Sequence, residues 1–131
     1  MTSHTVLVTG VVGGIGAAIA TRLAADGAKV IVSDLPGEAL QNAAAQLGLP
    51  AVGADLGDRD AVQAMTQKIT TDFGSPDILV NAAGGVGNQV GTPLEKVDPE
   101  VWHHIFAINV DATLYLSQAL IPAMKRAGWG R

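Results

Sequence analysis

Short apolar runs alternate along the chain with longer stretches whose apolar residues recur every three or four positions. Continuous runs of β-branched residues and leucine at 5–8, 30–32 and 78–80 predict strands that are covered on both faces. A weaker apolar run at 51–54 predicts one more strand. The segments between these runs show helical spacing, so strand and helix alternate along the whole chain.

Four helices are predicted from this spacing and from the residues that begin and end them. The first covers 15–27 and stops at a glycine, and the second covers 36–47 and starts at a proline. The third spans 58–73 behind an aspartate cap, with one apolar stripe. The fourth spans 98–127, from an Asp-Pro pair to a glycine, after a glycine-rich loop at 81–97.

Four strand–helix units in series require parallel strands joined by right-handed crossovers. The expected fold class is therefore α/β, a doubly wound parallel sheet of the Rossmann type. Residues 1–131 are predicted to form a single domain that stops after the fourth unit. No second domain and no low-complexity tract interrupts the alternation.

Composition narrows the classes of function. Of the 131 residues 48% are hydrophobic and 15% are charged, and the net charge is −4. The basic residues are scattered, so no nucleic-acid partner is expected. The chain has no cysteine, which excludes disulfides and thiolate metal sites. No apolar stretch reaches the roughly 18 residues of a membrane span and no export signal opens the chain, so we expect a cytoplasmic protein with no membrane partner.

The segment VTGVVGGIGAA, residues 8–18, joins the first strand to the first helix. A turn that binds a dinucleotide needs glycine for a tight reversal, for close approach of the backbone to a pyrophosphate, and for close packing of helix on strand. The free N–H groups at the start of the helix then face the phosphates. Four glycines are available for these roles: Gly10, Gly13, Gly14 and Gly16.

Asp34 ends the second strand, eighteen residues after Gly16, close to the spacing of about 20 expected of a carboxylate that binds the ribose. The alternative is that Asp34 only caps the helix beginning at Pro36. As a ribose ligand the carboxylate would accept hydrogen bonds from both hydroxyls and would repel a 2′-phosphate. Leu35 follows it, and the glycine turn contains no lysine or arginine, so NAD is favoured over NADP.

These features resemble the short-chain dehydrogenase/reductase family. Residues 9–16 match its TGxxxGIG turn, Asp55-Leu56 its Asp–hydrophobic pair at the adenine, 81–84 its NAAG segment, and Asn109 the asparagine of its catalytic helix. The resemblance covers this entire chain but only about the first half of a family member. It implies an NAD(P)-dependent oxidoreductase that interconverts alcohols and carbonyls in small molecules, usually as a homo-oligomer.

The resemblance and the glycine turn together define the predicted cofactor site. Its residues belong to the turns that follow the four predicted strands: Gly10, Val12, Gly13, Gly14, Ile15, Gly16, Asp34, Leu35, Asp55, Leu56, Asn81, Ala82, Ala83 and Gly84. Two have a simpler interpretation, since Asp55 could be a turn residue and Asn81 could tie the sheet to the next loop. Asn109 is the one catalytic position of the family that is present, where it kinks the helix and holds a water on the proton path.

The remaining candidate residues are interpreted as structural. His103 and His104 are adjacent, so on a helix they point to different sides and cannot form a pair of metal ligands. Solvated or half-buried helix positions are the preferred interpretation for both, and no metal site is expected. Trp102 and Phe106, four residues apart, are interpreted as packing residues.

Tyr115 is the only tyrosine, and tyrosine is the proton donor of this family. There it belongs to a YxxxK pattern, whose lysine lowers the pKa of the phenol and binds the nicotinamide ribose. Ala119 stands four residues after Tyr115, and Lys125 lies ten residues on, about 15 Å along a helix. We therefore interpret Tyr115 as a packing residue. The family's serine, tyrosine and lysine have no counterparts here, and the chain alone is expected to be inactive.

In the family a Gly-Arg pair such as Gly130-Arg131 leads into a fifth strand. Without that strand, residues 78–80 would form an open edge that invites pairing with another chain. Three interpretations stay open: the N-terminal part of an oxidoreductase completed by further chain, a truncated protein that binds NAD without catalysis, and an interaction module that uses the edge. The residues that select a substrate lie mainly in the second half of family members, so the sequence does not assign one.

Overall fold

The computed structural model describes residues 4–131, so residues 1–3 of the predicted domain lie outside the described part. The strands and α-helices are β1 Thr5–Thr9, α1 Gly14–Ala25, β2 Lys29–Ser33, α2 Glu38–Leu47, α3 Arg59–Phe73, β3 Ile78–Val80, α4 Pro99–Phe106 and α5 Ala112–Ala127. A short 3₁₀ turn at Leu94–Lys96 precedes α4, and a π-helical turn at Ala107–Asp111 joins α4 to α5.

The sheet contains three parallel strands in the order β2-β1-β3. The central strand β1 pairs over Thr5–Thr9 with Lys29–Ser33 on one side and over Val6–Val8 with Ile78–Val80 on the other. Parallel neighbours that are not reached by a hairpin require helical crossovers, and these supply the helices on both faces. The predicted doubly wound, Rossmann-type α/β fold is confirmed.

Apolar residues on both faces of the sheet form two buried clusters. Leu7 and Ile31 face α3 and α5 and pack with residues such as Ile69 and Leu116. Residues one position away along the strands, such as Val6 and Val8, face α1 and α2. Because the middle of each strand is covered by helices on both faces, the strands read in sequence as unbroken apolar runs. Each fully buried leucine or isoleucine contributes about 1.5–3 kcal/mol through the water it excludes.

The strand predicted at 51–54 is present only as an irregular pairing with the outer side of β2. Ala51 forms a parallel bridge to Val32, and the N–H of Val52 donates to the Val32 carbonyl at 3.0 Å. The N–H of Ala54 donates to the Asp34 carbonyl, also at 3.0 Å, but the segment does not form a regular strand. The turn after β2 packs closely on it, since a Cβ on Gly53 would lie 2.8 Å from the Cα of Pro36.

The fourth predicted helix is present but is interrupted by the π-helical turn. Asp98 caps its start by accepting a hydrogen bond from the N–H of Glu100 at 2.8 Å. Gly128 ends it in the left-handed conformation, with φ of 71°. The π turn contains Asn109, the residue expected to kink this helix. The π turn therefore lies at the position where the resemblance to the family predicts a kink in this helix.

Over 99–127 the described residues include one helix that is long and apolar enough to cross a membrane, with a mean hydropathy of 1.2 over its most apolar window. Its sequence is not one uninterrupted apolar stretch, since polar residues such as Asn109 and Asp111 divide it. Length and composition are weak evidence of a span. This helix packs Leu116 and Leu120 into the core of the domain, as a helix of a globular protein does.

The outer side of β3 is partly paired by the end of the chain. The N–H of Arg131 donates to the carbonyl of Asp77 at 3.0 Å, and the N–H of Leu79 donates to the carbonyl of Arg131 at 2.9 Å. This is the pattern of a parallel strand, with Arg131 opposite Ile78. Arg131 therefore occupies part of the edge that the sequence predicted to be open.

Candidate functional site

A cleft of about 300 Å³ lies where the carboxyl ends of the three strands meet. Open α/β sheets bind ligands at this edge because the turns after the strands converge there. The cleft is formed by the turns after the strands, by the segment that follows the Ala51 bridge, and by one side of the long helix. Its lining residues are Gly10, Val12, Gly13, Asp34, Leu35, Ala54, Asp55, Leu56, Ala82, Ala83, Gly84, His104 and Ile108.

Two glycines of the turn after β1 are required by close backbone contacts. Gly10 has φ of 71°, and a Cβ there would lie 2.6 Å from the carbonyl oxygen of Ala82. A Cβ on Gly16 would overlap the carbonyl oxygen of Gly10. Gly10 thus permits the reversal and the approach to the loop after β3, and Gly16 lets α1 pack against the turn.

Gly13, in contrast, leaves space rather than a contact. The nearest neighbour of a Cβ on Gly13 would be the Gly10 carbonyl oxygen at 3.4 Å, an ordinary distance, and Gly13 lines the cleft. It is also the N-cap of α1, and no side chain caps this helix. The first N–H groups of α1 therefore have no side-chain acceptor, and the helix dipole favours an anion at this end of the helix. This cradle fits the pyrophosphate of a dinucleotide.

Asp34 is fixed at the side of the glycine turn. Its Oδ2 accepts a hydrogen bond from the N–H of Val12 at 2.9 Å, and its Oδ1 accepts one from the N–H of Leu35 at 2.8 Å. The helix α2 begins four residues later, its N-cap is Gly37, and no side chain caps it. Asp34 therefore does not cap this helix, and the alternative interpretation is wrong. Each oxygen keeps a second lone pair with which it can accept from a ribose hydroxyl.

Asp55 and Leu56 form the next part of the cleft. Oδ1 of Asp55 accepts a hydrogen bond from the N–H of Gly57 at 2.9 Å, so Asp55 is a turn residue, as its simpler interpretation held. It lines the cleft as well, and the two roles are compatible because one carboxylate has several acceptor positions. Asp58 caps α3 as predicted, with its Oδ1 2.8 Å from the N of Asp60.

The loop after β3 is held to β1 by one buried hydroxyl. The Oγ1 of Thr9 accepts hydrogen bonds from the N–H groups of Ala82 and Ala83, both at 3.2 Å, and donates to the carbonyl of Val80 at 3.3 Å. Thr9 has 1% of its surface exposed. Sequence reasoning included Thr9 in the glycine motif but not in the site, although a threonine between an apolar strand and a glycine turn is the signal for such a link.

Asn109 does not line the cleft but holds the loop that borders it. Its Nδ2 donates to the carbonyls of Gly85 at 2.7 Å and Ile105 at 2.8 Å, and its Oδ1 accepts from the N–H of Gly85 at 3.1 Å. A Cβ on Gly84 would lie 2.5 Å from the same Oδ1. In a π turn the backbone hydrogen bonds join residues five apart instead of four. At this turn the side-chain amide of Asn109 donates to the carbonyl of Ile105.

Four of the predicted cofactor residues do not line the cleft: Gly14, Ile15, Gly16 and Asn81. Ile15 is 75% exposed on the surface of α1, and Asn81 is exposed after β3. Three residues that were not predicted do line it, Ala54, His104 and Ile108. Ala54 directly precedes the predicted pair Asp55-Leu56. The spacing of four residues between His104 and Ile108, ending beside Asn109, is the signal that could have identified these two. The interpretation of His104 as a helix position without a role in the site has to be revised.

Tyr115 lies away from the cleft. It is half-buried, packs against the core cluster under α3 and α5, and lines a separate groove of about 530 Å³ between these two helices. Gln118 and Ala119 line the same groove one turn later. This position agrees with a packing role. Within residues 4–131 no three His, Asp or Glu side chains come together as a metal site would need.

Comparison with known proteins identifies the class. The family model described as short chain dehydrogenase matches residues 4–131. The chain belongs to the short-chain dehydrogenase/reductase family. This agrees with the converging turns of the cleft and with the parallel sheet.

Individual relatives agree with this assignment. D-beta-hydroxybutyrate dehydrogenase of Cupriavidus necator is 37% identical over 136 residues, which cover 100% of this chain and 52% of the relative. D-threitol dehydrogenase of Mycolicibacterium smegmatis is 38% identical over 95% of this chain and 48% of its own length. A metagenomic short-chain oxidoreductase solved in complex with NADP superposes with a TM-score of 0.88 at 32% identity, over 97% of this chain and 59% of that one. The chain thus spans about half the length of the curated relatives it matches.

Proposed function

We propose that residues 1–131 are the cofactor-binding part of an NAD-dependent oxidoreductase that interconverts an alcohol and a carbonyl in a small molecule. The observation that carries this proposal is the space at Gly13 beside the uncapped start of α1, with the Asp34 carboxylate at its side. A bound nicotinamide cofactor would accept or supply the hydride. The residues of this chain bind and orient it.

Each part of the cleft has one task in this proposal. The first N–H groups of α1, beside Gly13, hold the pyrophosphate. Asp34 accepts hydrogen bonds from the ribose hydroxyls, and Asp55 and Leu56 contact the adenine. The loop at 82–84, which Thr9 holds in place, borders the ribose and nicotinamide.

The proposed preference for NAD over NADP rests on charge. Asp34 carries the negative charge nearest to where a 2′-phosphate would lie, and no lysine or arginine is among the residues that line the cleft in the described part of the chain. Two unit charges about 4 Å apart repel by about 1–4 kcal/mol at effective dielectric constants of about 80 to 20. The similar metagenomic oxidoreductase was solved with NADP, so family membership alone does not decide between the two cofactors.

The proton-transfer step is assigned to residues outside 1–131. Tyr115 lies in the groove between α3 and α5 and has no lysine one turn on, so it lacks the arrangement that proton donation requires. Asn109 is the one residue of this chain that we place in the catalytic machinery, where it holds the loop at Gly85. We expect the isolated 131-residue chain to bind NAD and to transfer no hydride.

Calorimetric titration tests the proposal. The protein should bind one NAD⁺ per chain, with a Kd at least about tenfold lower than for NADP⁺. Protein whose intact mass matches 131 residues should show no alcohol-dependent reduction of NAD⁺, followed by its absorbance in the near ultraviolet. Lack of binding to either dinucleotide contradicts the proposed site, and turnover by protein of this mass contradicts the assignment of proton transfer to other residues.

A second candidate is a role in association, as a homo-oligomer or through an interaction surface. The long helix leaves an apolar stripe exposed, which includes Trp102, Phe106, Val110 and Leu114, each about half exposed. Contiguous apolar surface of this kind marks interfaces. Sedimentation of the protein with and without NAD⁺ distinguishes the candidates, since association alone requires no cofactor. A cytoplasmic location stays a prediction from the sequence.

A further inference from the structure

The long helix supplies one wall of the cofactor cleft. His104 in α4 and Ile108 in the π turn both line the cleft and lie four residues apart, on one side of the helix. Ile108 adjoins the turn that begins at Asp55, since its Cγ2 would be 3.6 Å from a Cβ on Gly57. The wall formed by His104 and Ile108 therefore adjoins the part of the cleft where Asp55 and Leu56 lie.

The chemistry of this wall differs from the rest of the cleft. The other lining residues are glycine, alanine, aliphatic side chains and the two acids Asp34 and Asp55. Among the lining residues of the described chain, His104 carries the only ring. A nucleobase binds with its flat face against an aromatic ring, and alanine substitution at such contacts weakens binding by about 5- to 150-fold per base.

We propose that the imidazole of His104 packs against the adenine of the bound dinucleotide, with Asp55 and Leu56 on the other side of the base. This inference rests on the proposed binding of NAD and adds a specificity-determining contact that the cofactor motifs do not include. His104 orients the adenine end and takes no part in hydride or proton transfer. Its effect should therefore be the same for every ligand that contains the adenine end.

The experiment compares His104→Ala with His103→Ala by calorimetric titration of the 131-residue protein. His103 is the neighbouring exposed histidine on the same helix and is not among the cleft-lining residues, so it controls for helix stability and charge. NAD⁺ and ADP-ribose, which lacks only the nicotinamide, serve as the two ligands. We expect His104→Ala to raise both Kd values by the same factor, about tenfold, and His103→Ala to leave both within about twofold.

His104→Phe distinguishes packing from hydrogen bonding or charge, because phenylalanine keeps the flat ring and removes the ring nitrogens. Restoration of both Kd values to within about threefold of wild type supports packing against the base. Far-UV circular dichroism and the Tm of each variant establish that it is folded.

The outcomes separate this inference from the function on which it rests. If wild type binds NAD⁺ and ADP-ribose but His104→Ala binds ADP-ribose as wild type does, the inference is wrong and the proposed function stands. A loss with NAD⁺ alone would place His104 at the nicotinamide end and also overturn it. If wild type binds neither ligand, the proposed function fails and the inference falls with it.

Discussion

Asn109 and Gly85, 24 residues apart in the chain, exchange two hydrogen bonds: the side-chain amide donates to the Gly85 carbonyl at 2.7 Å and accepts from the Gly85 N–H at 3.1 Å. The same amide donates to the carbonyl of Ile105 in the helix. One side chain thus joins the loop that borders the cofactor cleft to the interruption of the long helix. The position of that loop depends on the helix through this contact.

Asn109→Ala should lower the free energy of unfolding by about 1–3 kcal/mol, because three hydrogen bonds are lost and each contributes about 0.5–1.5 kcal/mol, less where solvent can replace them. Urea denaturation measures the change. Asn88→Ala, in the exposed part of the same loop, is the control and should stay within about 0.5 kcal/mol of wild type. Equal stability of the two variants would contradict the role given to Asn109.

Gly13→Ala and Gly16→Ala should have opposite consequences although the residues lie in one turn. Alanine at Gly13 meets no close neighbour, so the protein should keep its Tm within a few degrees and lose about tenfold or more in NAD⁺ affinity. Alanine at Gly16 overlaps the Gly10 carbonyl and should destabilise the fold by at least about 1–3 kcal/mol. Thermal denaturation and calorimetric titration on both variants check this. A stable Gly16→Ala protein would contradict the packing role of Gly16.

Asp34→Asn should shift the preference between the two dinucleotides. The amide keeps an oxygen that can accept from the Val12 N–H, and it removes the charge that would repel a 2′-phosphate. We expect the ratio of the NADP⁺ Kd to the NAD⁺ Kd to fall about tenfold, the equivalent of about 1.4 kcal/mol. Asp26→Asn, at the far end of α1, removes an exposed carboxylate and should leave the ratio unchanged. An unchanged ratio in Asp34→Asn would assign cofactor preference to another residue.

Thr9→Val should destabilise the protein because valine keeps the shape of the side chain but leaves the N–H groups of Ala82 and Ala83 without their acceptor. A fully buried unpaired donor costs about 1–3 kcal/mol, and these two donors are only partly buried, so the loss should be about 2–4 kcal/mol by urea denaturation. Thr9→Ser keeps the hydroxyl and should lose less than half of that. Thr21→Val, on the exposed side of α1, serves as the control and should be close to neutral. If Thr9→Val were as stable as Thr21→Val, the hydroxyl would not be the link between β1 and the loop.

The features that the sequence predicts well are those that depend on residues close together in the chain. The apolar runs of β1 and β2, the cap at Asp58 and the stop at Gly128 are local, and the structure has all of them. The segment 51–54 pairs with β2 without forming a regular strand, and its close contact at Gly53 with Pro36 joins two segments that no local pattern connects.

Within the candidate site, the same distinction holds. The glycine turn and Asp34 belong to one strand–helix unit, and their spacing alone indicates their proximity. His104 reaches the cleft only because the long helix crosses its border, and Asp55 and Leu56, which line the same cleft, are almost fifty residues away in sequence. The contact of Asn109 with Gly85 is of the same kind: the motif identified the residue, and only the three-dimensional structure identified its partner.

The π turn also sets the phase of the long helix. Residues spaced by four advance by about 40° at each step around an ordinary α-helix, so a line drawn through every fourth residue drifts out of alignment. The wider turn at 107–111 counteracts this drift, and the series 104, 108, 112, 116 and 120 passes from the ligand cleft directly into the core. Wound as an uninterrupted α-helix, the same residues would set His104 about 120° around the axis from Leu116, so one side of the helix could not both line the cleft and fill the core.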